Sequence, residues 1–437
     1  MLDSRAASVD NAARTLQETS TTRHALLPAD RRMFFDPASG HSVSGRRNPP
    51  MNNPHTHSPV DAKNDQTGQP SRAPRRWLRR AMVALLLLIV AVAAFLLLAP
   101  TPIDPVAYDP PVSPPLTGVL EPNTLLREAT PLAAGQITGP EDVAVDAAGL
   151  VYTGLVDGRI VRIDPAGQVE TFARTGTAEK PGRPLGMAFA PDGRLIVVDA
   201  REGLLAVTPE GQVSTLATEV GGMKLGFADD VDVASDGRVF FSDASDKFGD
   251  GEYLYDLLEA RPHGRLLCHD LSTGESRVLL DGLYFANGVA LSQHEDFVLV
   301  NETYRYRITR YWLNGEKAGT SDLFADNLPG FPDNITSNRQ GTFWLALFTK
   351  RNPTIDRLHP YPFLKKALSR LPKPLWPAPE PYGFVVALNE QGKILRSLQD
   401  PGGEKFREVT SAQERDGMLY FGTLSGDRVG RLELNSK

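Results

Sequence analysis

Six short segments spread along the chain open with residues that could hold a cation or move a proton. Their first positions are Glu141, Leu185, Asp229, Asn287, Asp333 and Val409, and their second are Asp142, Gly186, Asp230, Gly288, Asn334 and Thr410. If one of these columns faced a common axis, three carboxylates and one or two amides would converge. Carboxylates so close cannot all stay ionised without protons or a cation. Neither column contains His or Cys. An oxygen-only set of carboxylates and amides suits Ca²⁺ or Mg²⁺ rather than Zn²⁺. The plain alternative is that Asp and Asn at a strand start are turn residues. For any one position alone that is the simpler reading; four polar positions in six, aligned by an independent period, favour a shared site. Asp192-Gly193, Asp236-Gly237 and Asp416-Gly417 are the contrast, and read as hairpin turns without function.

The alignment comes from an internal repeat. EDVAVDAAGLVYTG from Glu141, LGMAFAPDGRLIVVD from Leu185 and DDVDVASDGRVFFSD from Asp229 share one pattern: an apolar run, a turn and a second apolar run. It recurs from Asn287, Asp333 and Val409. Val143, Met187, Val231, Val289, Ile335 and Ser411 each precede by eight residues the residue that opens the next strand. Six antiparallel meanders at one spacing predict an all-β fold, a six-bladed β-propeller over residues 128–437. A β-sandwich would not keep one spacing through six copies. Arg127–Ala134 is expected to close the ring by adding a strand to the last blade. Insertions at 247–263 and 350–382 break the period, and either cover a pocket or pack passively. The single cysteine, Cys268, lies in an alternating run and reads as a buried strand residue.

The composition excludes some classes. A net charge of -6 argues against nucleic acid, which wants a basic face. Residues 1–75, rich in Ser, Thr, Asn, Pro, Arg and His, lack helix or strand period and read as a disordered tail. His55 and His57 read there as solvated rather than metal-binding, and Met51 is an alternative start. Residues 81–99 carry no charge and as a helix would span about 28 Å, close to a bilayer core. The transmembrane anchor is assigned to 76–100. Arg72, Arg75, Arg76, Arg79 and Arg80 precede the apolar run, whereas Asp104 and Asp109 follow it. The positive-inside rule then leaves the N-terminus cytoplasmic and the propeller extracytoplasmic. A cleaved signal peptide is the rival reading, against which Ala99-Pro100 is a poor cleavage junction. Residues 101–127 are expected to form a Pro-rich extended spacer.

The runs GLYFANGVALS (282–292) and YRYRITRYWLNGEKAGTSDLFADNLPGFPDNI (304–335), with GRPLGMAF (182–189) and DLLEARPHGRLL (257–267), resemble the strictosidine synthase-like propellers. The resemblance covers nearly all of 135–435, and the membrane-anchored layout is most similar to animal members of that group. More distantly the domain is similar to the paraoxonase, SMP-30/gluconolactonase and diisopropyl fluorophosphatase families, which are calcium-dependent hydrolases. That resemblance implies a channel Ca²⁺, with Mg²⁺ as the alternative, held at Glu141, Asp229, Asn287, Asp333 and Asn334. It also implies that Asp333 is nucleophile or general base. Two departures matter. Paraoxonases carry a His where this chain has Leu185. Strictosidine synthase carries its catalytic Glu where alignment on Gly417 and Tyr420 places Thr410, which cannot transfer a proton as a carboxylate does. The nearby Glu414 reads as a solvated turn residue.

The function expected is a membrane-anchored, Ca²⁺-dependent hydrolase of small-molecule esters or lactones, in which the ion polarises the carbonyl. The alternatives are a non-catalytic binding propeller with a structural metal, and a C–N bond-forming synthase, which Thr410 disfavours.

Overall fold

The computed structural model describes residues 74–434. The expected disordered tail lies outside them, except for its last two residues, which open helix α1 (Pro74–Leu98). Beyond Arg80 this helix is apolar on every face, and its leucines and valines are mostly exposed among the protein atoms. By length and composition it can cross a membrane.

The rest is a six-bladed β-propeller. Five blades are four-stranded antiparallel sheets built from consecutive strands. The innermost strands are Ala144–Val145, Pro184–Phe189, Ala228–Val233, Ala286–Leu291, Gly330–Ser337 and Val409–Arg415. The sixth blade takes its outer strand from the other end of the domain: Thr130–Leu132 pairs antiparallel with Val429–Glu433, closing the ring as expected. Blades pack face to face through alternating apolar residues, such as Ile196, Val198, Val231, Phe241 and Leu267 between blades two and three. Cys268 is buried in this framework on Gly264–Asp270. The Asp-Gly pairs are hairpin turns, with left-handed Gly193, Gly237 and Gly417.

One local irregularity repeats. In blades two to five the ladder skips at the start of the innermost strand, so two residues face one on the next strand. The skipped pairs are Leu185-Gly186, Asp229-Asp230, Asn287-Gly288 and Asp333-Asn334. These are β-bulges, which re-aim side chains, and they fall on the two columns singled out above.

Both insertions are helical. The first contains α2 (Tyr253–Glu259); the second contains α3 (Pro353–Leu358), α4 (Pro362–Ser369) and a turn of 3₁₀ helix at Lys373–Leu375. Residues 101–117 have no regular structure but lie along these insertions as a strap. Val106 N–H donates to Glu259 O at 3.0 Å and Tyr108 N–H to His359 O at 3.1 Å. Lys365 Nζ donates to Val106 O and Arg351 Nη2 to Pro111 O. The Arg305 guanidinium sits between the rings of Tyr108 and Tyr284, 3.8 and 3.6 Å from their centroids.

Two groups under the strap make it testable. The buried Glu259 carboxylate accepts from Lys247 Nζ, from His263 Nε2 and from the Asp104 N–H. Glu259→Ala strands those donors and is expected to cost about 3 kcal/mol, read as a lower melting temperature with new protease cleavage within 101–117. His359 packs edge-on against Tyr108, with neither ring nitrogen hydrogen-bonded. Burial, reinforced by the charge of Lys365, pushes its pKa down to about 3. Below its unfolded pKa of about 6.5 the unfolded chain takes up a proton that the folded chain refuses, so stability falls on acidification. Between pH 7 and pH 5 this group by itself lowers the melting temperature by on the order of 5 °C, read as the difference between the chain and His359→Phe over that range.

Candidate functional site

The bulges divide the two columns between two jobs. First-column residues turn toward the axis: Glu141, Asp229, Asn287 and Asp333, with Leu185, line one cavity of about 210 Å³ at the strand-start end of the ring. Second-column residues turn sideways and tie blades together. Asp142 Oδ2 accepts the Met187 N–H of blade two at 2.8 Å, and Asp230 Oδ2 accepts the Val289 N–H of blade four at 2.7 Å. The blades approach so closely that a Cβ at Gly288 would meet the backbone of Asp333 and Ile335.

Asn334 is a second-column residue and behaves as one. Its Nδ2 donates to both oxygens of Glu141, at 3.2 and 3.3 Å, from behind the cavity wall. Thr410 also stands behind Glu141, its hydroxyl donating to the Glu141 carbonyl. Glu414 differs from the solvated turn residue expected of it. Its carboxylate accepts from Trp344 Nε1 at 2.7 Å and Asn338 Nδ2 at 2.9 Å, joining blades five and six. The inner strand carries it to an inter-blade seam, where a turn residue would face solvent.

Asp333 is fixed through its backbone, its carbonyl accepting from Asn301 Nδ2. The preceding Pro332 carbonyl accepts from the Thr303 hydroxyl at 2.7 Å. Burial pushes the Asp333 carboxyl up to about 8, against a hydrogen bond from the Asn287 amide. Burial also raises Glu141 well above the carboxylate range, helped by the charges of Asp333 and Asp142 and opposed by Arg183. Asp229 is raised in the same way, by burial and then by Glu141 and Asp333. The three acids therefore disfavour one another's ionisation, which is the situation a bound cation relieves.

The motif GRPLGMAF also contained a site residue that the column reading missed. Arg183, two positions before Leu185, lines the cavity and is buried, with Nη1 on the Gly139 carbonyl at 3.1 Å. Among the described residues no carboxylate comes within ion-pair distance of it. Its signal was a lone cation beside an acidic cluster.

The remaining walls are apolar. Phe227, Phe285 and Phe331 come from the residues just before or at the inner strands. The roof comes from the insertions: Tyr253, Leu254 and Leu257 around α2, Ile355 of α3, and Trp376. Of the two readings of the insertions, covering a pocket is the one the geometry matches.

Residues 118–163, the approach to the ring and most of blade one, match the profile described as strictosidine synthase-like, N-terminal, and the strictosidine synthase profile matches residues 229–316. Mouse adipocyte plasma membrane-associated protein is 40% identical over 374 residues, covering 81% of this chain and 89% of the relative. The chain belongs to the strictosidine synthase-like family. Arabidopsis strictosidine synthase-like 13 is 35% identical over 327 residues, 68% of this chain and 78% of that protein. Among solved structures, a gluconolactonase from Xanthomonas campestris superposes with a TM-score of 0.51 at 17% identity, over 70% of this chain and 89% of the other. That likeness is one of fold. In this strictosidine synthase-like chain, the blade-six position expected to hold a catalytic Glu in the synthase is the inward-tied Thr410.

Proposed function

We propose that this protein is a membrane-anchored hydrolase of small-molecule esters or lactones that works with a bound divalent cation, Ca²⁺ ahead of Mg²⁺. The observation that carries the reading is the polar floor of an otherwise apolar cavity: three buried, mutually repelling carboxylates and one amide.

The residues fit such an ion. Asp229 Oδ2 and Asn287 Oδ1 are buried with no hydrogen-bond partner, and buried polar oxygens are rarely left so without a reason. No three His, Cys, Asp or Glu side chains among the described residues are gathered tightly enough to hold a metal by themselves. The amide oxygen of Asn287 therefore belongs to the proposed set with Glu141, Asp229 and Asp333. Asn334 Oδ1 is likewise buried without a partner, so Asn334 stays in the proposed set while its Nδ2 holds Glu141 in place. A bound Ca²⁺ would supply Lewis-acid polarisation of the scissile carbonyl.

The chain's own groups supply the rest. The apolar walls hold the substrate's hydrocarbon part and exclude bulk water. Asp333 takes a proton from the attacking water at a carboxylate oxygen and returns it to the departing alkoxide oxygen. Arg183 adds positive charge to the site without the pairing that would neutralise it. A blade-six carboxylate, which proton transfer in the synthase reaction needs, is replaced by Thr410.

The anchor is α1. Its four described arginines, Arg75, Arg76, Arg79 and Arg80, mark the cytoplasmic end, which leaves the propeller outside. The full chain in detergent should hydrolyse p-nitrophenyl acetate or a simple lactone, and lose that activity in chelator. No turnover of any ester or lactone, with a chelator-sensitive melting temperature, would leave a binding propeller with a structural ion.

A further inference from the structure

We infer that α4 and the Lys373–Leu375 turn form a membrane-surface contact that sets the mouth of the cavity at the lipid interface. The inference rests on α1 being the membrane anchor.

The C-terminal end of α1 is fixed to α4. Arg370, at the end of α4, donates Nε to the Ala99 carbonyl at 2.6 Å and Nη1 to the Leu96 carbonyl at 2.7 Å. The Leu96 carbonyl lies in the last turn of α1 and the Ala99 carbonyl one residue beyond it, where a helix end lacks its own donors and carries partial negative charge. One guanidinium thus holds α4 at the level where the apolar helix ends. The Thr101 hydroxyl, just beyond, bonds that of Ser369 at 2.5 Å. The buried Lys365, one turn before Ser369, grips the strap at Val106. The inner face of α4 is therefore committed to the anchor and strap.

Its other face is apolar and uncovered. Tyr361 is 50% exposed, Phe363 59%, Leu364 39% and, in the following turn, Leu375 65%. Apolar and aromatic residues in such a cluster, interspersed with Lys366 and Lys373, are the composition of an interfacial helix. A soluble face would place them singly. The occupant that fits is a bilayer surface, because the patch continues directly from the end of a membrane-length helix.

Leu375 is followed by Trp376, Pro377 and Pro379, all of which line the cavity. Docking this turn into the headgroup region puts the cavity wall one residue from lipid. The substrate this geometry admits is an ester or lactone with an apolar chain that partitions into the membrane and enters from its surface.

The test uses the full chain in phosphatidylcholine vesicles containing doxyl-labelled lipid. Single-cysteine variants Phe363→Cys, Leu375→Cys, Asp416→Cys and Leu88→Cys carry an environment-sensitive fluorophore; native Cys268 is buried and stays unlabelled. Asp416 marks a hairpin turn at the opposite end of the inner strand, and Leu88 the middle of α1. Quenching at 363 and 375 several-fold above that at 416, with strong quenching at 88, is the expected result. Quenching at 363 and 375 equal to that at 416, with 88 still quenched, overturns the surface contact and leaves the anchor standing. An unquenched label at 88 overturns the anchor and the contact together.

Discussion

Asp333→Asn is expected to lower kcat for ester or lactone hydrolysis by about 10²–10⁴-fold while leaving the fold intact. The substitution keeps the shape of a buried side chain whose backbone is held by Asn301, with Thr303 holding the preceding carbonyl. It leaves one side-chain oxygen for the ion and removes the carboxylate that can accept and return a proton. If the lost interaction is made in the transition state, kcat and kcat/KM should fall together. The same change removes one of the charges that disfavour ionisation of Glu141 and Asp229. In chelator the variant should therefore melt no lower than the parent. Full activity in Asp333→Asn would take the proton-transfer role away from this residue.

Calcium should raise the melting temperature of the full chain and chelator should lower it. An ion that binds only the folded state at a hundred times its Kd contributes about 2.7 kcal/mol. For a domain of this size that corresponds to roughly 5–10 °C. Asn287→Leu removes the amide oxygen that lacks a partner and should abolish most of the calcium shift. It should spare the chelator-state melting temperature, since the inter-blade ties at Asp142 and Asp230 remain. A melting temperature indifferent to both calcium and chelator, with activity retained in chelator, would remove the ion from the site.

The period of the repeat made six blades legible, because each inner strand must alternate in step with its neighbour. The first column was legible for the same reason. Period alone could not say which of two adjacent columns faces the axis. That choice is made by the bulges at Asp229-Asp230, Asn287-Gly288 and Asp333-Asn334, and a bulge is a property of strand pairing. Asn334 shows the result: its Nδ2 is turned onto Glu141 from the second column, and its Oδ1 is left buried without a partner. Gly186 and Gly288 carried a usable hint, since glycine at both places marks where blades crowd. The strap was less legible. Prolines at 100–115 suggest an extended spacer, and the chain there has no regular structure, but its partners Glu259, His359, Arg351 and Lys365 are contributed by insertions far along the sequence.

The sixth blade also orders events in time. Thr130–Leu132 leaves the ribosome nearly 300 residues before Val429–Glu433, its partner in the sheet. Until then the nascent ring has two open sheet edges, the kind of surface that invites mispairing. Five blades can form as the chain emerges, since each is built from consecutive strands, but the long-range pairing that seals the circle waits for Val429–Glu433. Ring closure is thus the pairing of greatest sequence separation in the fold, the kind that comes late because loop-closure entropy must be met first.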